Sequence, residues 1–217
     1  MPKKIKLAVL ISGTGRSLKN MINRIKEGSL DAEVKLVVSS SSCARGLQYA
    51  EEEVIPIAIL ERPAFKSQGE FSTAIFDACR NAQVDYVAMA GYIKFLDIPD
   101  DFTNRVLNIH PSLVPAFCGK GYYGEHVHSK ALEYGVKITG CSVHFVDHKY
   151  DNGPVILQKV VEVLETDTIV SLNDRVFDAE REAYPQAIQL LAEGRVNVAG
   201  RIVKIAPPVE QLAVIDF

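Results

Sequence analysis

No apolar run in this 217-residue chain approaches the roughly 20 residues that cross a bilayer. The stretch Leu7–Ile11 is too short for the core of a signal peptide and Lys6 interrupts what precedes it, so it reads as a first strand and the expected setting is the cytoplasm. Basic residues are not in excess. Lys and Arg number 24 against 27 Asp and Glu, a net charge of −3, which argues against a nucleic-acid surface. The cysteines Cys43, Cys79, Cys118 and Cys141 form no C-x-x-C pair and match no zinc spacing, so free thiols in a reducing compartment and no metal are expected. Repeats, low-complexity tracts and a linker to a second domain are also missing. What remains is a protein with a core of its own and small-molecule partners, with no nucleic acid or membrane among them.

The residues present alternate between strand and helix signals. Ile5–Ile11 is a nearly continuous apolar run, as in a strand buried on both faces. Gly13-Thr14-Gly15 breaks it, and Leu18, Met21, Ile22 and Ile25 follow at helical spacing up to Gly28. Further strands are expected at 34–38, 55–60, 84–90 and 105–109, with helices around Ala44–Ala50 and Phe71–Ala78 between them. This order predicts an α/β fold with a doubly wound, mostly parallel sheet, whose ligands bind beyond the carboxyl ends of the strands. The second half predicts a loop over 111–123, a helix over 125–134, and a long hairpin of strands 138–146 and 155–163. A long helix over 168–191 follows, with Pro185 a kink or break, then a small hairpin over 196–203 turning at Ala199-Gly200. Residues 1–205 are read as one domain and 206–217 as a loosely held tail.

Asn108-Ile109-His110-Pro111 carries the clearest chemistry. Residues i and i+2 of an extended segment point to one side, so the amide and the imidazole converge. An amide can donate to a developing oxyanion, and an imidazole can move a proton near neutral pH. Asp151, in the turn Asp151-Asn152-Gly153, supplies a carboxylate that can orient the imidazole and stabilise its charged form. Asp147 competes for that role. No nucleophile accompanies the set, which points to direct group transfer. Gly13-Thr14-Gly15, between a strand and a helix, can cradle a phosphate, with Ser12, Thr14 and Arg16 adding donors; a glycine turn without a ligand is the alternative. Leu18 stands where a dinucleotide fingerprint has its third glycine, so a single phosphate fits better than a pyrophosphate. His126 and His128 have the spacing of a metal pair but no third ligand, and His144 reads as a buried, satisfied histidine, with holding the site in shape as the alternative.

Taken together, Ile11–Gly15, Ala90-Gly91-Tyr92, Asn108–Leu113, Gly140–Val146 and Asp151–Ile156 resemble the phosphoribosylglycinamide formyltransferase family over roughly residues 5–195. The resemblance implies a Rossmann-like formyltransferase fold with an added C-terminal hairpin and long helix. It also implies transfer of a formyl group from 10-formyltetrahydrofolate, a cosubstrate, to the amine of 5'-phosphoribosylglycinamide, by a monomer or homodimer. The N-terminal half would hold the glycinamide substrate and the C-terminal half the folate. Asn108, His110 and Asp151 would be the catalytic trio. Ser12, Gly13, Thr14, Gly15, Arg16 and Glu180 would bind the phosphoribosyl substrate. Tyr92, Ile93, Lys94, Phe95 and Leu96 would line the folate pocket, and the stretch with Val146, Asp147 and His148 would face the pterin. The family pattern departs at Thr14 and Arg16, at Lys94, and in the longer loop 117–124.

On this reading the amine attacks the formyl carbon, Asn108 and a charged His110 stabilise the oxyanion, and Asp151 raises the His110 pKa or relays a proton. Three other readings stand beside it. A formyltetrahydrofolate hydrolase is disfavoured by Pro111 and by the expected lack of a regulatory domain. A transfer-RNA formyltransferase is disfavoured because only 206–217 would remain for its RNA domain. A nucleotide-binding module lacks a use for the Asn, His and Asp set, and a nicotinamide oxidoreductase lacks the third fingerprint glycine and has Ser39–Ser42 where an acidic ribose ligand is expected.

Overall fold

The computed structural model describes residues 4–208. The elements run β1 (Ile5–Ile11), α1 (Arg16–Lys26), β2 (Ala32–Ser39), α2 (Leu47–Glu52), β3 (Ile57–Ile59), α3 (Gln68–Asn81), β4 (Tyr86–Met89), β5 (Val106–His110), α4 (Glu125–Tyr134), β6 (Ile138–Phe145), β7 (Val155–Glu162), α5 (Ile169–Ala192), β8 (Val196–Ala199) and β9 (Ile202–Ile205). Strands β1 to β7 form one sheet in the order β3-β2-β1-β4-β5-β6-β7, and β8 and β9 form a separate hairpin. Pairing is parallel from β3 to β5 and antiparallel at β5–β6 and β6–β7. The expected doubly wound, mostly parallel sheet with a C-terminal hairpin and long helix is the observed architecture.

β1 shows why its sequence is nearly all apolar. Leu7, Val9 and Ile11 face a core layer built with Leu18 and Met21 of α1 and Ala187 and Ile188 of α5. Ala8 and Leu10 face the opposite layer, with Phe71, Ile75 and Phe76 of α3. Side chains alternate between faces, so a central strand covered on both sides needs apolar residues throughout. The chain order reverses at β1, whose neighbours β2 and β4 lead in opposite directions. That reversal opens a crevice at the carboxyl ends of β1 and β4.

Several edges differ from expectation. β3 and β4 are shorter than the apolar runs 55–60 and 84–90, because only three and four residues of each find ladder partners. Pro185 does not break α5, which is continuous through it. A proline leaves the carbonyl four residues earlier without its helical donor. Here that carbonyl, of Arg181, accepts a bond of 2.8 Å from the Asn20 amide of α1. In the expected tail, Ala206 is held: its N–H donates to the Arg195 carbonyl and its carbonyl accepts from Arg195 Nε. Residues 209–217 of that tail lie outside the described residues.

Candidate active site

Asn108 and His110 occupy the carboxyl end of β5, and Asp151 reaches them from the turn between β6 and β7. The carboxylate is the hub of the cluster. Its Oδ1 accepts from Asn108 Nδ2 at 3.3 Å and lies 3.7 Å from His144 Nε2. Its Oδ2 accepts from the Gly119 N–H at 2.9 Å and lies 3.5 Å from His110 Nδ1. Asp151 adopts a left-handed backbone, φ 47°, which aspartate tolerates better than most residues. Asp147, the competing carboxylate, is occupied in shaping the same turn. It accepts from the Lys149 N–H and from Asn152 Nδ2.

The charge balance differs from expectation at His110. Burial lowers its pKa below the ordinary histidine value, outweighing the Asp151 carboxylate and the Phe117 carbonyl, which favour the charged ring. His110 Nε2 lies 2.9 Å from that carbonyl. A neutral ring therefore turns one lone pair toward an acceptor oxygen, whereas an imidazolium satisfies both sides. The resting ring is neutral, in surroundings arranged to receive a proton. Asp151 responds oppositely. Burial pushes its pKa up, but His144, His110 and the Gly119 N–H together hold it below the usual carboxylate range.

Two cavities meet at this cluster. The first is a mostly apolar cleft of about 860 Å³, its mouth and open solvent included. Tyr92, Ile93, Lys94, Phe95, Leu96, Val146 and Asp147 line it, together with Asn108, His110 and Asp151. His148 does not line it and is exposed; its neighbours Lys149 and Tyr150 do. Tyr150 stacks on Phe95 with ring centroids 5.1 Å apart, closing one side of the cleft.

The second cavity, of about 690 Å³, is lined by Gly13, Thr14, Gly15, Arg16, Glu180 and others. α1 begins there without a side-chain cap, so its first N–H groups are free to bind an anion. Gly15 has φ +69°, and a Cβ on it would lie 2.5 Å from Gly46 Cα, so this glycine also serves a close backbone crossing. The Arg16 guanidinium lies 3.9 Å over the Phe177 ring. Burial pushes the Glu180 carboxyl up to about 8, against the opposing pull of Arg16. Ser12 does not line this cavity; its hydroxyl accepts from Ser40 Oγ and from the Ile93 N–H, bracing two loops. Gly91, Ile109, Pro111 and Gly124 line both cavities, so two ligands would share a wall beside Asn108 and His110.

Three contributions are fixed only by the tertiary structure. His144 is buried, as expected, and it stands against Asn108 and Asp151 because β6 pairs it with Asn108. The loop 117–124 closes over the cleft through Gly119, Gly121, Tyr122 and Tyr123, and its Gly119 N–H holds Asp151; Lys120 is exposed and lines neither cavity. His128 is buried in the wall of the second cavity. It does not pair with His126, since residues two apart on a helix face different ways. Among the described residues no group of three or more His, Cys, Asp or Glu is placed to hold a metal ion, and no helix is long and apolar enough to cross a membrane.

The sequence model of the family described as formyl transferase matches residues 5–188. A phosphoribosylglycinamide formyltransferase of Haemophilus influenzae is 35% identical over 195 residues, covering 89% of this chain and 90% of that protein. The crystal structure of glycinamide ribonucleotide transformylase 1 from Symbiobacterium toebii superposes with a TM-score of 0.89 at 40% identity, covering 95% of this chain and 96% of that one. The trifunctional purine biosynthetic protein adenosine-3 of Gallus gallus is 40% identical over 203 residues, 92% of this chain, which spans only 20% of that protein's length.

Proposed function

The chain belongs to the formyl transferase family, and on that premise we propose that it transfers a formyl group from 10-formyltetrahydrofolate to the amine of 5'-phosphoribosylglycinamide in purine biosynthesis. The observation that carries this reading is the shared wall: a cavity at the uncapped start of α1 and an apolar cleft meet beside Asn108, His110 and Asp151. The cleft suits a flat heteroaromatic ring, with Lys94 and Lys149 available to carboxylates of its tail. Its contacts are Tyr92, Ile93, Lys94, Phe95, Leu96, Val146 and Asp147. The other cavity takes the phosphate at Gly13–Arg16 and the remainder of the substrate beside Glu180. We place the enzyme in the cytoplasm as a monomer or homodimer.

The cosubstrate supplies the formyl group on a nitrogen that can leave. The amine attacks the formyl carbon, a C–N bond forms, and charge collects on the formyl oxygen. Asn108 donates to that oxygen, a contact worth about 3 kcal/mol. The neutral His110 accepts the proton that the amine sheds, and Asp151 stabilises the resulting imidazolium. The same proton then passes to the folate nitrogen as its bond to the formyl carbon breaks. Proton and electron pair both balance, and no covalent enzyme intermediate forms.

The test is formyl transfer from 10-formyldideazafolate to phosphoribosylglycinamide, read by absorbance of the deformylated folate, with Asn108→Ala and Asp151→Asn beside the wild type. Acceptor-dependent turnover that falls about 10²- to 10³-fold in Asn108→Ala is expected. Release of formate without acceptor would shift the reading to a hydrolase.

A further inference from the structure

The loop that follows β5 meets His110 and Asp151 with backbone atoms, and one residue of it is strained. The Phe117 carbonyl lies 2.9 Å from His110 Nε2. On the other side of the ring, Asp151 Oδ2 lies 3.5 Å from Nδ1 and is itself held by the Gly119 N–H. Phe117 has φ 48°, in the left-handed region, where a bulky side chain is an outlier. Gly119, two residues on, has φ 95° without that penalty. A strained residue persists only where its surroundings hold it. The Phe117 ring is half-buried against the core and meets Tyr134, the last residue of α4, edge-on with ring centroids 5.9 Å apart. Other ties of the loop run from Ser112 Oγ to the Ala116 carbonyl and from the Val114 N–H to Ser142 Oγ. Both end before the Phe117–Cys118 peptide, whose carbonyl is the one that faces His110.

We infer that Phe117 is a positioning residue for His110: its ring, seated on Tyr134, holds the left-handed backbone that keeps the Phe117 carbonyl against Nε2. The inference rests on the reading that His110 takes up the proton during transfer. An imidazolium has two N–H donors. With the carbonyl at Nε2 and the Asp151 carboxylate at Nδ1, each finds an acceptor as the ring becomes charged. A carbonyl turned away would leave a buried N–H without a partner. Because the backbone is held beforehand, the contact needs no reorganisation when the proton moves. Among the groups around the ring, Asp151 and the Phe117 carbonyl favour its charged form, while burial and His144 of β6 oppose it. The His110 charge also opposes one on His128 of α4. The Cys118 thiol is pushed up by burial and by Asp151, and stays neutral.

The test compares wild type, Phe117→Ala and Phe117→Tyr in the full chain. Steady-state kinetics across pH are read beside an NMR titration of the histidine rings, with His110 assigned from its absence in His110→Gln. Phe117→Ala keeps the left-handed penalty and loses the anchor. Its kcat is expected to fall roughly tenfold, the loss of one hydrogen bond to a charged group, with KM for both substrates within about twofold. The His110 pKa and the acid limb of the rate should both move to lower pH, because a group that favours the charged ring has left it. Phe117→Tyr keeps the aromatic contact with Tyr134 and should stay within about twofold of wild type in kcat, with its acid limb in place. An unmoved His110 titration in folded Phe117→Ala overturns the inference, as does a loss confined to KM. If Phe117→Ala does not fold, an ester in place of the Phe117–Cys118 amide decides, since it weakens the carbonyl as an acceptor and spares the ring. The same downward shift is expected there, and an unmoved titration overturns the inference. A wild type that transfers no formyl group removes the formyltransferase reading alone, because the His110 titration still decides whether Phe117 holds the ring.

Discussion

Asn108 and His144 face each other across the β5–β6 ladder, with the amide nitrogen 3.3 Å from the imidazole Nε2. His144 Nδ1 lies 2.7 Å from the Phe145 carbonyl, a contact that fixes the ring with Nε2 toward Asn108 and Asp151. His144 thus packs against the Asn108 amide that the proposed reaction turns toward the oxyanion.

His144→Phe keeps the buried bulk and removes that contact. We expect kcat to fall about 10- to 100-fold, less than removing the Asn108 donor itself, with KM for both substrates within threefold. Steady-state kinetics on the folded variant decide it, and unchanged turnover would show that Asn108 is held by other contacts.

The pH profile follows from the neutral resting state of His110. Its proton-accepting role is lost once the ring is charged, so kcat/KM is expected to fall as pH drops through the His110 pKa, which lies below the ordinary histidine value of 6.5. Asp151→Asn removes a group that favours the charged ring, so the acid limb should move to lower pH. The stability sign is the same. A folded pKa below the unfolded value means the unfolded chain binds more protons, so unfolding free energy should decline as pH falls from 6.5 through the folded His110 pKa. Denaturant titrations across that window measure it, and a limb that stays put in Asp151→Asn would separate the two residues.

Burial pushes the Glu180 carboxyl up to about 8, which favours the neutral acid at pH 7 in the ligand-free protein. Glutamine mimics that neutral acid, so Glu180→Gln should stay within about threefold of wild-type KM for phosphoribosylglycinamide at pH 7. Glu180→Ala, which loses the hydrogen-bonding group, should raise KM roughly tenfold. The Gln variant and the wild type should part above pH 8, as only the wild type ionises. A large defect of Glu180→Gln at pH 7 would mean that an ionised carboxylate is needed.

Gly15→Ala combines a positive φ with a methyl group directed at Gly46 Cα. Together these should cost about 3 kcal/mol, or a fall in Tm of roughly 6–12 °C for a chain of this length. KM for the phosphorylated substrate should rise with it, because the same turn carries the free N–H groups of α1. Thermal melts and kinetics read the two effects separately, and a wild-type Tm would refute the close crossing.

Much of this protein is a consequence of sequence alone. The buried run Ile5–Ile11, the glycine turn after it and the spacing of apolar residues announce the parallel α/β sheet and place Gly13–Gly15, Gly91 and Asn108–His110 at strand ends. Period-two alternation is local, so Asn108 and His110 are bound to share a side. The tertiary structure decided what depends on residues far apart in the chain. Register across β5–β6 turned His144 from a satisfied core histidine into a neighbour of Asn108. Turn geometry chose Asp151 over Asp147. The Asn20 amide, 161 residues from its partner carbonyl, let α5 pass through Pro185. Burial reversed the pKa shift that a neighbouring carboxylate implies for His110. Desolvation, strand register and the filling of an orphaned carbonyl all depend on what packs against a residue, and no local pattern encodes that.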